Sequence, residues 1–138
     1  MENIKEKNAL VLAFVGDAYW TLLIREHLIQ QNHAKAGKLH VMANDYICAK
    51  SQAKFFDIIS PNLTETELSI AKRARNSYNH TTAKNCSIAE YKQATAFEAV
   101  IGYNYLCGSL SRVQEILEKI FTIEKSDDPR GSSIGGVL

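Results

Sequence analysis

Two carboxylates stand where their surroundings ask for hydrophobes. Asp17 is the only charged side chain among the 16 residues from Ala9 to Ile24, and Glu98 the only one among the 14 from Ala94 to Cys107. A carboxylate buried without a partner costs several kcal/mol, or shifts its pKa and goes neutral. Two such acids on two apolar segments suggest that the segments cross as helices and that the acids share a cation. Oxygen-only ligands select a hard ion, Mg²⁺ or Mn²⁺, which takes one or two carboxylates and completes its shell with water and phosphate oxygens. The alternative for either acid is a partly exposed position, or an ion pair with a buried arginine such as Arg25 or Arg112.

A second cluster is basic. From Ser69 to Lys92 there are five Lys or Arg and one acid, a local charge of +4 against +1 for the whole chain. Lys72, Arg73, Arg75 and Asn76 are followed by a polar stretch containing His80, Thr81, Thr82, Lys84 and Asn85. Arginine forks and hydroxyls suit phosphate contacts, and a donor-rich loop can reach into a nucleic-acid groove. The alternative is a solvated helix end, its cations placed near the C-terminal dipole. The cluster directly precedes the segment carrying Glu98, so a phosphate held there would lie close to the shared cation.

Other chemistries find no pattern. No Glu-x-x-His, His-Glu-x-x-His or Cys-x-x-Cys occurs, which leaves di-iron and zinc sites unsupported. There is no Gly-rich phosphate loop, and His27, His33, His40 and His80 are scattered as ordinary surface or core histidines. Three cysteines, Cys48, Cys86 and Cys107, form no paired framework and read as reduced thiols, pointing to a cytoplasmic location. The apolar run Ala9–Ile24 is shorter than the roughly 20 residues a bilayer requires and carries Asp17 in its middle, so no membrane partner is expected.

The elements that must position these groups are helices. At 138 residues, 46% apolar and 22% charged, the chain has the length and balance of one globular domain. It has two prolines and seven glycines, three of them in the last eight residues, so breakers are few in the body. A first helix is expected from about Asn8 to His27, apolar around its circumference and therefore buried on most sides, with a polar linker over Gln30–His33. A second, about Ala34 to Ile58, places Leu39, Met42, Tyr46, Ala49, Ala53 and Phe56 at steps of three and four. Ser60-Pro61-Asn62 is a turn. Thr64-Glu-Thr-Glu67 and Ser87-Ile-Ala-Glu90 fit the capping box and open two further helices, the latter ending near Cys107 with Gly108 as its C′ residue. A fifth helix spans about Ser111 to Phe121. Residues 1–125 read as one all-α domain and 126–138 as a flexible tail.

Together the segments Leu12-Ala-Phe-Val-Gly-Asp-Ala18, Ala71-Lys-Arg-Ala-Arg-Asn76 and Tyr91-Lys-Gln-Ala-Thr-Ala-Phe-Glu-Ala-Val-Ile-Gly-Tyr-Asn-Tyr-Leu106 resemble, in order, the catalytic domain of the ribonuclease III family and most closely its Mini-III branch. Leu39 to Ala53 is also similar to a family helix. The resemblance spans roughly Ala9 to Phe121. It implies a helical endonuclease-domain bundle, active as a homodimer on double-stranded RNA, with Mg²⁺ (Mn²⁺ able to substitute) and no small-molecule cofactor. It further implies maturation of the ends of the large-subunit (23S) ribosomal RNA precursor, without a separate double-stranded-RNA-binding domain. By motif position Asp17 and Glu98 match the two acids that hold the family's metal. Lys72, Arg73, Arg75, Asn76, His80 and Lys84 are the candidate RNA contacts. Members of the wider family carry further acids where Leu10, Ala13 and Thr95 stand; the Mini-III branch shares the sparser set, which implies a lean site that binds Mg²⁺ weakly without RNA. The apolar area on the first and fourth helices exceeds what a small monomer buries, in agreement with a dimer. A helical module that binds structured RNA or a ribosomal partner without cleaving is the alternative function.

Overall fold

The computed structural model describes residues 3–77 and 85–127, with side chains through residue 123 of the last helix. Among the described residues there is no strand. The described residues form six α-helices, α1 (Ala9–Gln31), α2 (Ala36–Ile47), α3 (Ala49–Ile59), α4 (Glu65–Asn76), α5 (Ile88–Leu106) and α6 (Leu110–Asp127), with single 3₁₀ turns at Ile4–Glu6, before α1, and at Ser60–Asn62, between α3 and α4. None of these helices is long and apolar enough to cross a membrane.

Local chemistry sets most of the boundaries. Asn8 accepts from the Leu10 amide at 2.8 Å and starts α1. Both capping boxes form: Thr64 and Glu67 bond reciprocally at the head of α4, and Ser87 and Glu90 do the same for α5. Gly108 follows α5 with φ +75°, a conformation that costs glycine nothing and a residue with a Cβ a good deal. Helix α1 continues four residues past His27, so half of the expected Gln30–His33 linker is helical.

Two expectations are corrected. The single helix expected over Ala34–Ile58 is broken at Cys48, whose backbone is extended (φ −68°, ψ 155°). The reason lies outside the segment: Trp20 of α1 donates its indole N–H to the Tyr46 carbonyl at 2.8 Å, taking an acceptor that a continuous helix would give to Lys50. Helix α1, in turn, is not buried on most sides. Ala9, Leu12, Ala13, Gly16, Trp20, Ile24 and Leu28 face the core, while Val11, Phe14, Leu22 and Ile29 are exposed, Phe14 by 79%. Its all-round apolarity comes from two stripes, and only one meets the interior.

Helix α5 is the central element and packs against α1, α3, α4 and α6. Ala96, Phe97, Ala99, Val100 and Ile101 are wholly buried. Phe97 meets Trp20 edge-on at 4.9 Å, an arrangement that aligns the positive ring edge with a negative face. At the opposite end of this core Glu67 is buried and charged. It accepts from Arg112 at 2.9 and 2.8 Å, from Asn104 at 2.9 Å and from the Thr64 amide at 2.9 Å. Burial alone would raise its pKa, but these donors outweigh it and hold the carboxyl below the usual range. The salt bridge to Arg112 ties α4 to α6, and the Asn104 hydrogen bond adds α5.

Candidate active site

The site begins with two glycines. Where α1 crosses α5, a Cβ on Gly16 would lie 1.7 Å from the Glu98 carbonyl oxygen, and a Cβ on Gly102 would lie 1.9 Å from the Leu12 carbonyl oxygen. No side chain fits between the two backbones. A glycine inside a helix costs about 1 kcal/mol relative to alanine, and this close approach is the compensating gain. Its consequence is positional: Asp17 follows Gly16, Glu98 lies one turn before Gly102, and the crossing brings the two carboxyls into hydrogen-bonding contact.

The environments of the two acids differ. Asp17 is exposed and Glu98 half-buried. Burial, then the charge of Asp17 and the hydrogen bond shared with it, push the Glu98 carboxyl up to about 8. Near neutral pH, Glu98 therefore keeps a proton and donates it to Asp17. Neither arginine considered as a neutralising partner serves. Arg112 is committed to Glu67, and Arg25 lies eight residues from Asp17, about 12 Å along the helix. The pair suits a hard divalent cation: two carboxylates give Mg²⁺ its usual protein ligands, with water in the remaining positions, and positive charge between them would remove the reason Glu98 holds a proton. Among the described residues no group of three or more His, Cys, Asp or Glu side chains gathers around a possible metal position. Thr95, one turn before Glu98, turns its hydroxyl back to the Tyr91 carbonyl at 2.9 Å and does not enter the pair.

A third helix contributes a group that periodicity did not single out. Gln52 of α3 is 2% exposed and sits beside the Glu98 carboxyl, close enough to favour its ionised form. Its Nε2 nevertheless completes no hydrogen bond. In the sequence Gln52 looks like one polar position on an amphipathic helix, and only the packing of α3 on α5 turns it inward.

The basic cluster divides. Lys72 and Asn76 are exposed at the end of α4. The Arg75 guanidinium lies over the Phe56 ring, 5.8 Å from its centroid. Arg73 points toward the chain's beginning, donating to the carbonyls of Lys7 (3.0 Å) and Lys5, and so fastens the Ile4–Glu6 turn to α4. His80 and Lys84 lie outside the described residues.

Known proteins resemble this chain over most of its length. A sequence profile described as "Ribonuclease III domain" matches residues 10–109, a span that holds Asp17, Gln52 and Glu98. The chain belongs to the ribonuclease III family. The Mini-ribonuclease 3 of Brevibacillus brevis is 45% identical to it over 120 residues, 87% of this chain and 90% of that protein. The Mini-ribonuclease 3 of Clostridium tetani is 38% identical over 136 residues, 97% and 90% of the respective chains. A crystal structure of a Fusobacterium nucleatum protein superposes with a TM-score of 0.80 at 32% identity, covering 90% of this chain and 99% of that one. As a ribonuclease III-family member the protein is an endoribonuclease, and the all-α bundle expected from the sequence is the fold observed.

Proposed function

We propose that this endoribonuclease cleaves double-stranded RNA with a divalent cation, Mg²⁺ or Mn²⁺, held between Asp17 and Glu98, and that its substrate is the large-subunit (23S) ribosomal RNA precursor. One observation carries the catalytic part: two carboxyls are forced together at a side-chain-free helix crossing, one of them unable to ionise comfortably beside the other. A bound divalent cation supplies polarisation of the scissile phosphodiester and a more acidic water at neutral pH. Asp17, at the surface, reaches the incoming backbone; Glu98, deeper, gives up its proton when positive charge arrives and fixes the inner face of the site. Lys72, Asn76 and the sequence-assigned His80 and Lys84 hold phosphates along the duplex, where A-form RNA is read by shape and 2′-hydroxyls. Arg75 contributes from its seat over Phe56. Arg73 acts mainly on the fold, since its guanidinium is spent on the carbonyls of Lys5 and Lys7. The rRNA assignment rests on the likeness to Mini-ribonuclease 3 proteins. The exposed stripe of Val11, Phe14, Leu22 and Ile29 supports a homodimer built on α1.

The test is cleavage of a duplex RNA carrying the paired ends of the 23S precursor, with and without Mg²⁺. Asp17→Asn is expected to lower the rate by at least ~10²–10³-fold, as for loss of a principal electrostatic stabiliser, with binding of the duplex retained. Wild-type protein that binds the duplex and leaves it intact in Mg²⁺ would instead make the chain an RNA-binding module.

A further inference from the structure

A buried amide donor is costly to leave without a partner, and the large majority of buried polar side-chain atoms do have one. Gln52 Nε2 is such a donor: the residue is 2% exposed and this nitrogen completes no hydrogen bond of normal geometry. Gln52 lies on α3, which packs along α5, and the neighbour its amide approaches is the Glu98 carboxyl, from a helix other than the one carrying Asp17. A carboxylate that holds a cation through one oxygen keeps further lone pairs that need donors, and this buried amide N–H₂ already stands beside the Glu98 carboxyl.

We propose that Gln52 is a positioning residue of the metal site, its Nε2–H₂ bonding one Glu98 oxygen in the cation-loaded state so that the other faces Asp17. Outer partners of this kind orient ligating carboxylates and are worth roughly 10–100-fold in metal affinity. The proposal rests on the reading that Asp17 and Glu98 hold the cation. A glutamine that merely fills space on α3 would contribute equally as a methionine.

The experiment compares wild type, Asp17→Asn and Gln52→Met by Mn²⁺ binding followed by electron paramagnetic resonance in the absence of RNA, with thermal melts alongside. Methionine keeps the length and shape and removes the donor, so the metal-free Tm is expected to hold or rise slightly, while Mn²⁺ affinity falls about tenfold. Unchanged affinity, or a loss that only follows lost stability, overturns the proposal while leaving the cation reading intact. If wild type binds Mn²⁺ no better than Asp17→Asn, the cation reading itself falls and this proposal with it. Should Gln52→Met fail to fold, the wild-type protein still decides: the Gln52 side-chain amide resonances must shift on Mg²⁺ titration, and resonances that stay fixed while Mg²⁺ binds refute the role.

Discussion

Glu98→Gln should make the metal-free protein more stable and catalytically dead, and the gain in stability should depend on pH in a way set by one carboxyl. The Glu98 group moves from an ordinary value of 4.5 to about 8 on folding, so between those values the folded chain retains a proton that the unfolded chain has released. The stability is therefore fully present below about pH 4.5 and is lost as pH rises toward 8. The loss accrues at about 1.4 kcal/mol per pH unit, reaching on the order of 4 kcal/mol by pH 7.5. Glutamine has nearly the same shape, never ionises, and offers Asp17 an N–H where the protonated acid offers an O–H. The variant should consequently melt higher than wild type by roughly 16 °C at pH 7.5, taking about 4 °C per kcal/mol for a chain of this size, and within a few degrees of it at pH 5. Thermal melts in chelator from pH 5 to 9 at constant ionic strength measure this directly. Added Mg²⁺ should raise the wild-type Tm at pH 8, since a ligand that binds only the folded state stabilises it by mass action, and should leave the variant nearly unmoved. A Tm gap that does not change with pH, or a wild type that is the more stable protein at pH 8, would refute the idea that the two acids are held together against their repulsion.

Gly16→Ala places a methyl 1.7 Å from the Glu98 carbonyl, so α1 and α5 must part; a loss of about 1–3 kcal/mol or more is expected by calorimetry, with cleavage lost even where the variant is folded. Arg112→Leu strands the buried Glu67 carboxylate and should cost about 3–5 kcal/mol at pH 7. Because that carboxyl is held low in the fold, the pair's contribution is present above the ordinary Glu range and fades as pH falls below it, and acid titration of stability should show the wild type converging on the variant. Phe14→Glu on the exposed stripe of α1 should yield monomers in sedimentation and reduce cleavage, while Tm at low protein concentration changes little. Lys72→Ala should weaken duplex binding and flatten its salt dependence by about one unit of slope; Arg73→Ala, which releases the carbonyls of Lys5 and Lys7, should lower Tm and affect the slope less.

What could be read from the sequence was local or conspicuous. The capping boxes at Thr64 and Ser87 and the left-handed Gly108 depend on a few neighbouring residues, and each formed as the pattern required. Asp17 and Glu98 stood out as single charges in apolar runs. Glu98 bears the cost of burial, whereas Asp17 is exposed, the alternative the sequence left open, and meets it because the helices cross at Gly16 and Gly102. The features that escaped are decided by distant partners. The break at Cys48 is imposed by Trp20, 26 residues upstream of the carbonyl it takes, with no Gly or Pro to mark it. The inward turn of Gln52 depends on how α3 meets α5. Arg73 belongs by sequence to a basic cluster, yet its partners are backbone carbonyls 66 and 68 residues away. The second apolar stripe of α1 could not be separated from the first, because composition alone does not say which side meets the core.

The crossing of Gly16 and Gly102 sets a manufacturing tolerance for the site. Most distances between groups on two helices are fixed by the side chains packed between them and drift whenever those are exchanged. Here the spacer is the thickness of two main chains in contact, a dimension that substitution elsewhere in the interior does not alter. The hydrophobic interior can therefore be repacked, naturally or by design, with the separation of Asp17 and Glu98 held to its original gauge, provided the two glycines stay.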